Sequence, residues 1–271
     1  MNIANMANTE CAKIFVVGRD GNGKTSTIAT IVGEKSETLQ TSGEIEVKFS
    51  PKNNVSLADG VGVGEPLEDL VLNDIKIEKI INNVDYVMNN VFNKLLTAIV
   101  FVFKFGVRFT MQEKKCLQIV KDIFGQDVMK RRGVVVITYG DNFDKNVQET
   151  FQEWCQKQES SFQSLMEECN YRCVLFDNRD GSKRETQVKQ FMAAVAQIDH
   201  KRPYEYAPNS NSRKKLIKEY TILKANKKSE EEENHITEKQ EKCDTKKCLA
   251  ALVILIVIFI GIAIFCAFYF F

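Results

Sequence analysis

The chain has 271 residues, 44% of them hydrophobic, and a formal net charge of +1 from 37 basic and 36 acidic side chains. That length suits one ordinary α/β domain with an appendage, and the near-neutral balance offers no global field for nucleic acid. Fourteen glycines and four prolines are too few for a fibrous or disordered chain.

Eight cysteines (Cys11, Cys116, Cys155, Cys169, Cys173, Cys243, Cys248 and Cys266) are irregularly spaced, with only two histidines to help them hold a metal. They read as scattered reduced thiols, the Cys169–Cys173 spacing alone being a weak zinc signal. The first apolar run, Ile14 to Val17, is too short for a secretory leader, so none is expected.

In chain order, Ala12 to Val17 reads as a buried strand and Lys24 to Val32 as a helix. Between them, Gly18-Arg-Asp-Gly-Asn-Gly-Lys-Thr25 fits the phosphate-binding pattern GxxxxGK[ST], in the strand-to-helix context that the pattern requires. Gly18, Gly21 and Gly23, with Asp20 and Asn22 between them, let backbone N–H groups turn inward around phosphates, and the helix N-terminus adds partial positive charge. Lys24 is expected to neutralise the β- and γ-phosphates, and the Thr25 hydroxyl to bind Mg²⁺. Ser26 is counted with the nucleotide-binding residues.

Residues 34–44 are polar and read as loop, followed by an edge-type strand at Ile45 to Phe49 and a second short strand at Val55 to Ala58. Asp59-Gly-Val-Gly62 then offers a carboxylate to the Mg²⁺ shell, through water, and the Gly62 N–H to the γ-phosphate. Gly60 to Pro66 must be loop, and Ile75 to Leu96 carries apolar residues at helical spacing. Ala98 to Phe103 is a continuous apolar run of the kind found in parallel strands covered on both faces. Met111 to Phe124 reads as a helix and Gly133 to Thr138 as another buried strand.

That strand ends in Thr138-Tyr-Gly-Asp141, where a TxxD element specifying guanine belongs. The Asp141 carboxylate can accept from both the ring N–H and the exocyclic amine of guanine. Asp144 is a competing assignment, and either aspartate also suits a helix cap. Val147 to Glu168 reads as one long amphipathic helix, Arg172 to Phe176 as the last strand and Lys183 to Ile198 as the last helix. Strands alternating with helices predict an α/β fold with a doubly wound, mostly parallel sheet.

Pro203, Pro208 and Asn209 to Ser212 mark the expected boundary of a domain at residues 11–200. Residues 201–247 are strongly charged and read as a helical stalk or linker. From Cys248 to Phe271 there is no charged residue, and sixteen positions are Leu, Ile, Val or Phe. As a helix this stretch would extend about 36 Å, against a hydrocarbon core of about 30 Å. Residues 248–271 are therefore expected to be a membrane-spanning tail anchor. Lys239, Lys242, Lys246 and Lys247 before it would place the larger domain in the cytosol.

The order of elements resembles the GTPases of the immunity-associated protein family (GIMAP, or immune-associated nucleotide-binding proteins), relatives of septins and chloroplast import receptors. The residues that carry the resemblance are Gly18 to Thr25, the box Phe103-Lys-Phe-Gly-Val-Arg-Phe-Thr110 continuing to Ile123-Phe-Gly125, Thr138 to Asn142, and Cys173-Val-Leu-Phe-Asp-Asn178. The middle box is the most specific of these, because general GTPases lack it. The resemblance implies a GTP/GDP- and Mg²⁺-binding domain that pairs with a second copy across the nucleotide face. It also implies Asn178 near the guanine base, C-terminal hydrophobic anchors in some members, and roles in immune or stress-related membrane processes.

Three departures bear on catalysis. Asp20 stands where the family has a small hydroxyl residue, and Gly60-Val61 replaces the usual Thr-Pro. Neither Thr38 nor Thr41 is a clear switch threonine. Val63, after Gly62, cannot orient an attacking water as glutamine would, so intrinsic hydrolysis is expected to be slow. Arg108 in the middle box is the candidate for a group supplied in trans; a surface or salt-bridged arginine is the alternative.

Overall fold

The computed structural model describes residues 11–33, 37–39, 45–60, 74–158, 160–208, 210–219 and 221–222, together with 245, 246, 249, 252, 258 and 260. The chain divides into two compact units, Met1–Tyr220 and Thr221–Phe271.

The first unit is built on a seven-stranded sheet. Its strands are β1 (Ala12–Val17), β2 (Glu37–Leu39), β3 (Val47–Ser50), β4 (Val55–Asp59), β6 (Ala98–Lys104), β7 (Gly133–Thr138) and β8 (Cys173–Leu175), in the spatial order β2-β3-β4-β1-β6-β7-β8. β4, β1, β6, β7 and β8 run parallel, while β2 and β3 are antiparallel additions at one side. The sheet is thus mostly parallel and flanked by helices, as expected. β2 falls within residues 34–44, read above as loop. It covers β3, so the stretch expected at the sheet edge is an inner strand.

Alternation along β1 feeds two cores, because successive side chains of a strand face opposite ways. Ile14 and Val16 pack with Ile28 and Ile31 of α1 (Lys24–Val32) and with Phe191 and Val195 of the helix Arg184–Ala196. Phe15 and Val17 face the other layer, with Ile80, Met88, Ile123 and Phe124. Both sets are buried, and burying each such side chain contributes about 1.5–3 kcal/mol. With both faces covered by helices, the C-terminal ends of the parallel strands are the place where α/β sheets bind ligands.

Two expected helices are corrected. The apolar stripe at Ile75 to Leu96 is helical at Asp74–Tyr86, then widens into a π-turn at Val87–Val91. It ends at Asn93 and Lys94, both left-handed (φ 51° and 62°), before strand β5 (Leu95–Leu96). Val147 to Glu168 is not one helix but two, Phe151–Gln156 and Ser160–Glu168. Val147 is extended, and Thr150 and Glu153 form a reciprocal capping box that starts a helix at Phe151.

The first unit runs on past residue 200, where the domain was expected to end. Strand β9 (Tyr204–Glu205) pairs with β5, and Tyr204, Tyr206 and Leu216 are buried in the core. Residues 210–219 form a helix strapped to the helix Asp74–Tyr86. The two terminal guanidinium nitrogens of Arg213 donate to the Asp85 carboxylate at 2.6 Å, and the Tyr206 hydroxyl donates to it at 2.6 Å.

In the second unit, Thr221, Ile222, Thr245, Lys246, Leu249, Leu252, Ile258 and Ile260 are described, all helical. Among the described residues no helix is long and apolar enough to cross a membrane. Most of the span expected at 248–271 lies outside them.

Candidate functional site

The site begins where β1 ends. Gly18 (φ 145°) lies against β6 so closely that a Cβ on it would meet the Val102 carbonyl oxygen at 2.4 Å. Gly23, at the N-cap of α1, is left-handed (φ 89°). Glycine carries such conformations without penalty. The Asn22 side chain donates to the Val102 carbonyl at 3.1 Å, and Thr138 Oγ1, at the end of β7, donates to the Asn22 carbonyl at 2.7 Å. The loop is thereby sewn to β6 and β7 through buried polar contacts. Gly21, by contrast, stands open: a Cβ there would find nothing within 4 Å.

Lys24 is only 7% exposed, and a buried ammonium needs an anion. Asp20 supplies it, accepting from Lys24 Nζ at 2.8 Å. Asp20 therefore meets the lysine while staying largely exposed to solvent. Asp59, at the end of β4, is also buried; its Oδ2 accepts from Thr25 Oγ1 at 2.7 Å. Its Oδ1 is buried and has no hydrogen-bond partner among the described residues. A carboxylate oxygen so placed beside a hydroxyl suits a hard, oxygen-preferring cation such as Mg²⁺, which keeps several waters and takes phosphate oxygens as further ligands. The residues expected to hold the metal, Thr25 and Asp59, are brought together. Ser26 is exposed on the first turn of α1. Gly62 and Val63 lie outside the described residues, as does Thr41.

Next to Asp20, Arg19 Nη1 donates to Glu113 Oε1 at 2.8 Å. Glu113 is 1% exposed and closes a capping box with Thr110 at the start of the helix Met111–Phe124. Burial works to raise its carboxyl, but hydrogen bonds from Thr110 and Arg19 outweigh that and hold it below the ordinary glutamate value. Below it Cys116 is fully buried, and burial pushes its thiol up to about 12, so it is inert at neutral pH. The phosphate loop and the middle box are therefore joined by a buried charge. The sequence carried a signal for it, the Thr110-x-x-Glu113 spacing of a capping box, but not for its partner Arg19. Arg108 sits on the loop before Thr110 and is exposed, next to half-exposed Val107 (45%) and with Met111 (64%) close by in sequence.

The third part follows β7. Tyr139 is left-handed (φ 61°), a conformation that costs about 1–3 kcal/mol outside glycine and persists where the surroundings impose it. Here the Gly140 N–H donates to the Phe176 carbonyl at 2.8 Å. Lys104 Nζ lies 4.4 Å from the centre of the Tyr139 ring, and the Arg179 guanidinium lies 5.7 Å from it. Asp141, on the helix Gly140–Asn146, meets Lys145 and Arg179 at 3.7 Å each. Asp144 is turned to Lys183 at 2.7 Å. Asn178 is fastened to α1: its Oδ1 accepts from Thr30 and its Nδ2 donates to Thr27. That amide also borders Gly23, 3.6 Å from where a Cβ would stand.

Two cavities of about 640 and 710 Å³ lie elsewhere, one beside the C-terminal end of α1 and one along β8. Neither is lined by residues 18–25, so shape alone does not point to the phosphate loop; its buried charges do.

Immune-associated nucleotide-binding protein 4 of Arabidopsis thaliana is 29% identical over 199 residues, covering 69% of this chain and 57% of that protein. Immune-associated nucleotide-binding protein 13 of the same plant is 26% identical over 197 residues, covering 69% and 56%. The chain thus spans a little over half the length of these two relatives. Among solved structures, Toc33 from Arabidopsis thaliana in complex with GDP and Mg²⁺ is similar at a TM-score of 0.48 and 13% identity, over 73% of this chain and 89% of that one. The AIG1 family profile matches residues 12–229, most of the chain and all of the site just described, and the protein belongs to the AIG1 family.

Proposed function

We propose that this protein binds GTP and GDP with Mg²⁺ at the Gly18–Thr25 loop and turns GTP over slowly. The observation that carries the reading is the buried Asp59 carboxylate, with one oxygen on Thr25 and the other unpartnered among the described residues, together with the buried Lys24 of the same loop. Asp141 is the guanine-reading carboxylate; its partners are held at 3.7 Å, loosely enough to yield to a base. The two relatives from Arabidopsis thaliana are named as nucleotide-binding proteins, which agrees.

Self-association through the middle box is part of the same proposal. Exposed Arg108, with Val107 and Met111 near it, belongs to a loop that Glu113 ties to the phosphate loop, so a second copy docking there would sense the nucleotide. The uncharged run 248–271 is the proposed membrane anchor, with the larger domain in the cytosol and roles in immune or stress-related membrane processes. A second reading, a GTP-loaded scaffold with negligible turnover, is favoured by Val63, which cannot orient an attacking water.

Nucleotide extracted from the purified full chain separates these. GDP is expected; retained GTP supports the scaffold, and adenine nucleotide overturns the guanine reading. GTPase rate per molecule is expected to rise with protein concentration, and not to rise for Arg108→Ala. A variant rate equal to wild type at every concentration removes the arginine from turnover.

A further inference from the structure

We propose that Asp20 is a resident counter-anion for Lys24 that biases the loop toward guanosine diphosphate over triphosphate. The inference rests on the nucleotide reading above and adds to it a residue that discriminates between phosphate chains.

Among the described residues, Asp20 is the carboxylate that meets the Lys24 ammonium. The other acids near the loop are engaged elsewhere: Asp59 accepts from Thr25, and Glu113 accepts from Arg19 and Thr110. Asp20 is 62% exposed and reaches back four residues across Gly21 to an amine that is 7% exposed. Because the space above Gly21 is open, the carboxylate stands at the mouth through which a phosphate chain must approach.

An ammonium has three N–H donors, so it can keep Asp20 while binding one terminal phosphate oxygen. In this loop pattern the lysine reaches both the β- and the γ-phosphate. A diphosphate can therefore share Lys24 with Asp20. A triphosphate brings another charged group to the same amine and must either displace the carboxylate or lie beside it, and like charges at contact distance repel even in water. The aspartate thus acts against the γ-phosphate more than against the β-phosphate. A neutral residue at this position would lift the bias.

The test uses the full chain freed of nucleotide and titrated, in Mg²⁺, with GDP and a non-hydrolysable GTP analogue, GMP serving as reference. For Asp20→Asn the affinity for the triphosphate is expected to rise about tenfold relative to the diphosphate, the order of one partly exposed charge interaction. Asp20→Glu, which restores the charge, is expected to return the ratio toward wild type. An unchanged ratio, or equal gains for diphosphate and triphosphate, overturns the proposal. If the folded wild type binds none of the three nucleotides, the nucleotide reading itself fails and takes this inference with it.

Discussion

The two ends of the candidate site are held in different ways. At the phosphate end, hydrogen bonds of 2.7–3.1 Å each engage at least one buried residue: Thr25 with Asp59, Lys24 with Asp20, Asn22 with β6, and Thr138 with the Asn22 carbonyl. At the base end, Asp141 meets the exposed Lys145 and Arg179 at 3.7 Å, and the Tyr139 ring lies 4.4 Å from Lys104 and 5.7 Å from the same Arg179. Charge-assisted hydrogen bonds among buried groups set geometry before a ligand arrives; long ion pairs on exposed side chains contribute little. The proposed phosphate end is thus tightly held, and the proposed base end loosely.

The strongest way to break this contrast is Lys24→Ala. It is expected to lower GDP affinity about a hundredfold, since a charge-assisted hydrogen bond contributes about 1.5–3 kcal/mol and this amine serves more than one phosphate oxygen. Circular dichroism should show the fold retained. A loss under tenfold would mean that the cradle is not where the affinity lies. Asp141→Asn comes next, with an expected loss of about tenfold for GDP, and a gain for the xanthine nucleotide, whose O2 replaces the exocyclic amine. Asp144→Asn should leave both affinities alone; the reverse result would move the base site one helical turn. The smallest effect is expected from Glu113→Gln. Because the folded carboxyl lies below its ordinary value, its stabilising contribution is present above the ordinary glutamate range and is lost as pH falls through the lowered value. Wild type should therefore lose stability in acid more steeply than Glu113→Gln. The variant's Tm at pH 7 should be lower by a few degrees, roughly the shift for 1 kcal/mol. Parallel acid profiles would show that the buried link between phosphate loop and middle box carries no charge of consequence.

How much of this could be read beforehand follows the same division. Gly18 to Thr25, Asp59 and the apolar strands were legible because each is local: a pattern of neighbours, or a period, with no distant partner required. The Arg19–Glu113 pair joins residues 94 apart in sequence, and the Asn178 contacts to Thr27 and Thr30 span about 150; no spacing announces them. The long helix expected across residues 147–168 misled because its apolar period continues through a break. The Thr150 cap delays the start to Phe151, the helix ends at Gln156, and Trp154 and Phe162 remain in ring contact across the break before Ser160. Residues 201–219 misled in the opposite sense. Their charge suggests solvent, yet Arg213 is charged in order to hold Asp85, and Leu216 is 3% exposed.

That last contact also describes a load path. A pull on the polypeptide beyond Tyr220 is resisted first by the Arg213–Asp85 clasp and by Leu216 in its seat, before any strand of the main sheet is strained. Asp85 lies on the helix that leads directly out of residues 61–73, the stretch following Asp59. Tension from the C-terminal side therefore falls on a helix that follows the phosphate-site strand β4 in the chain.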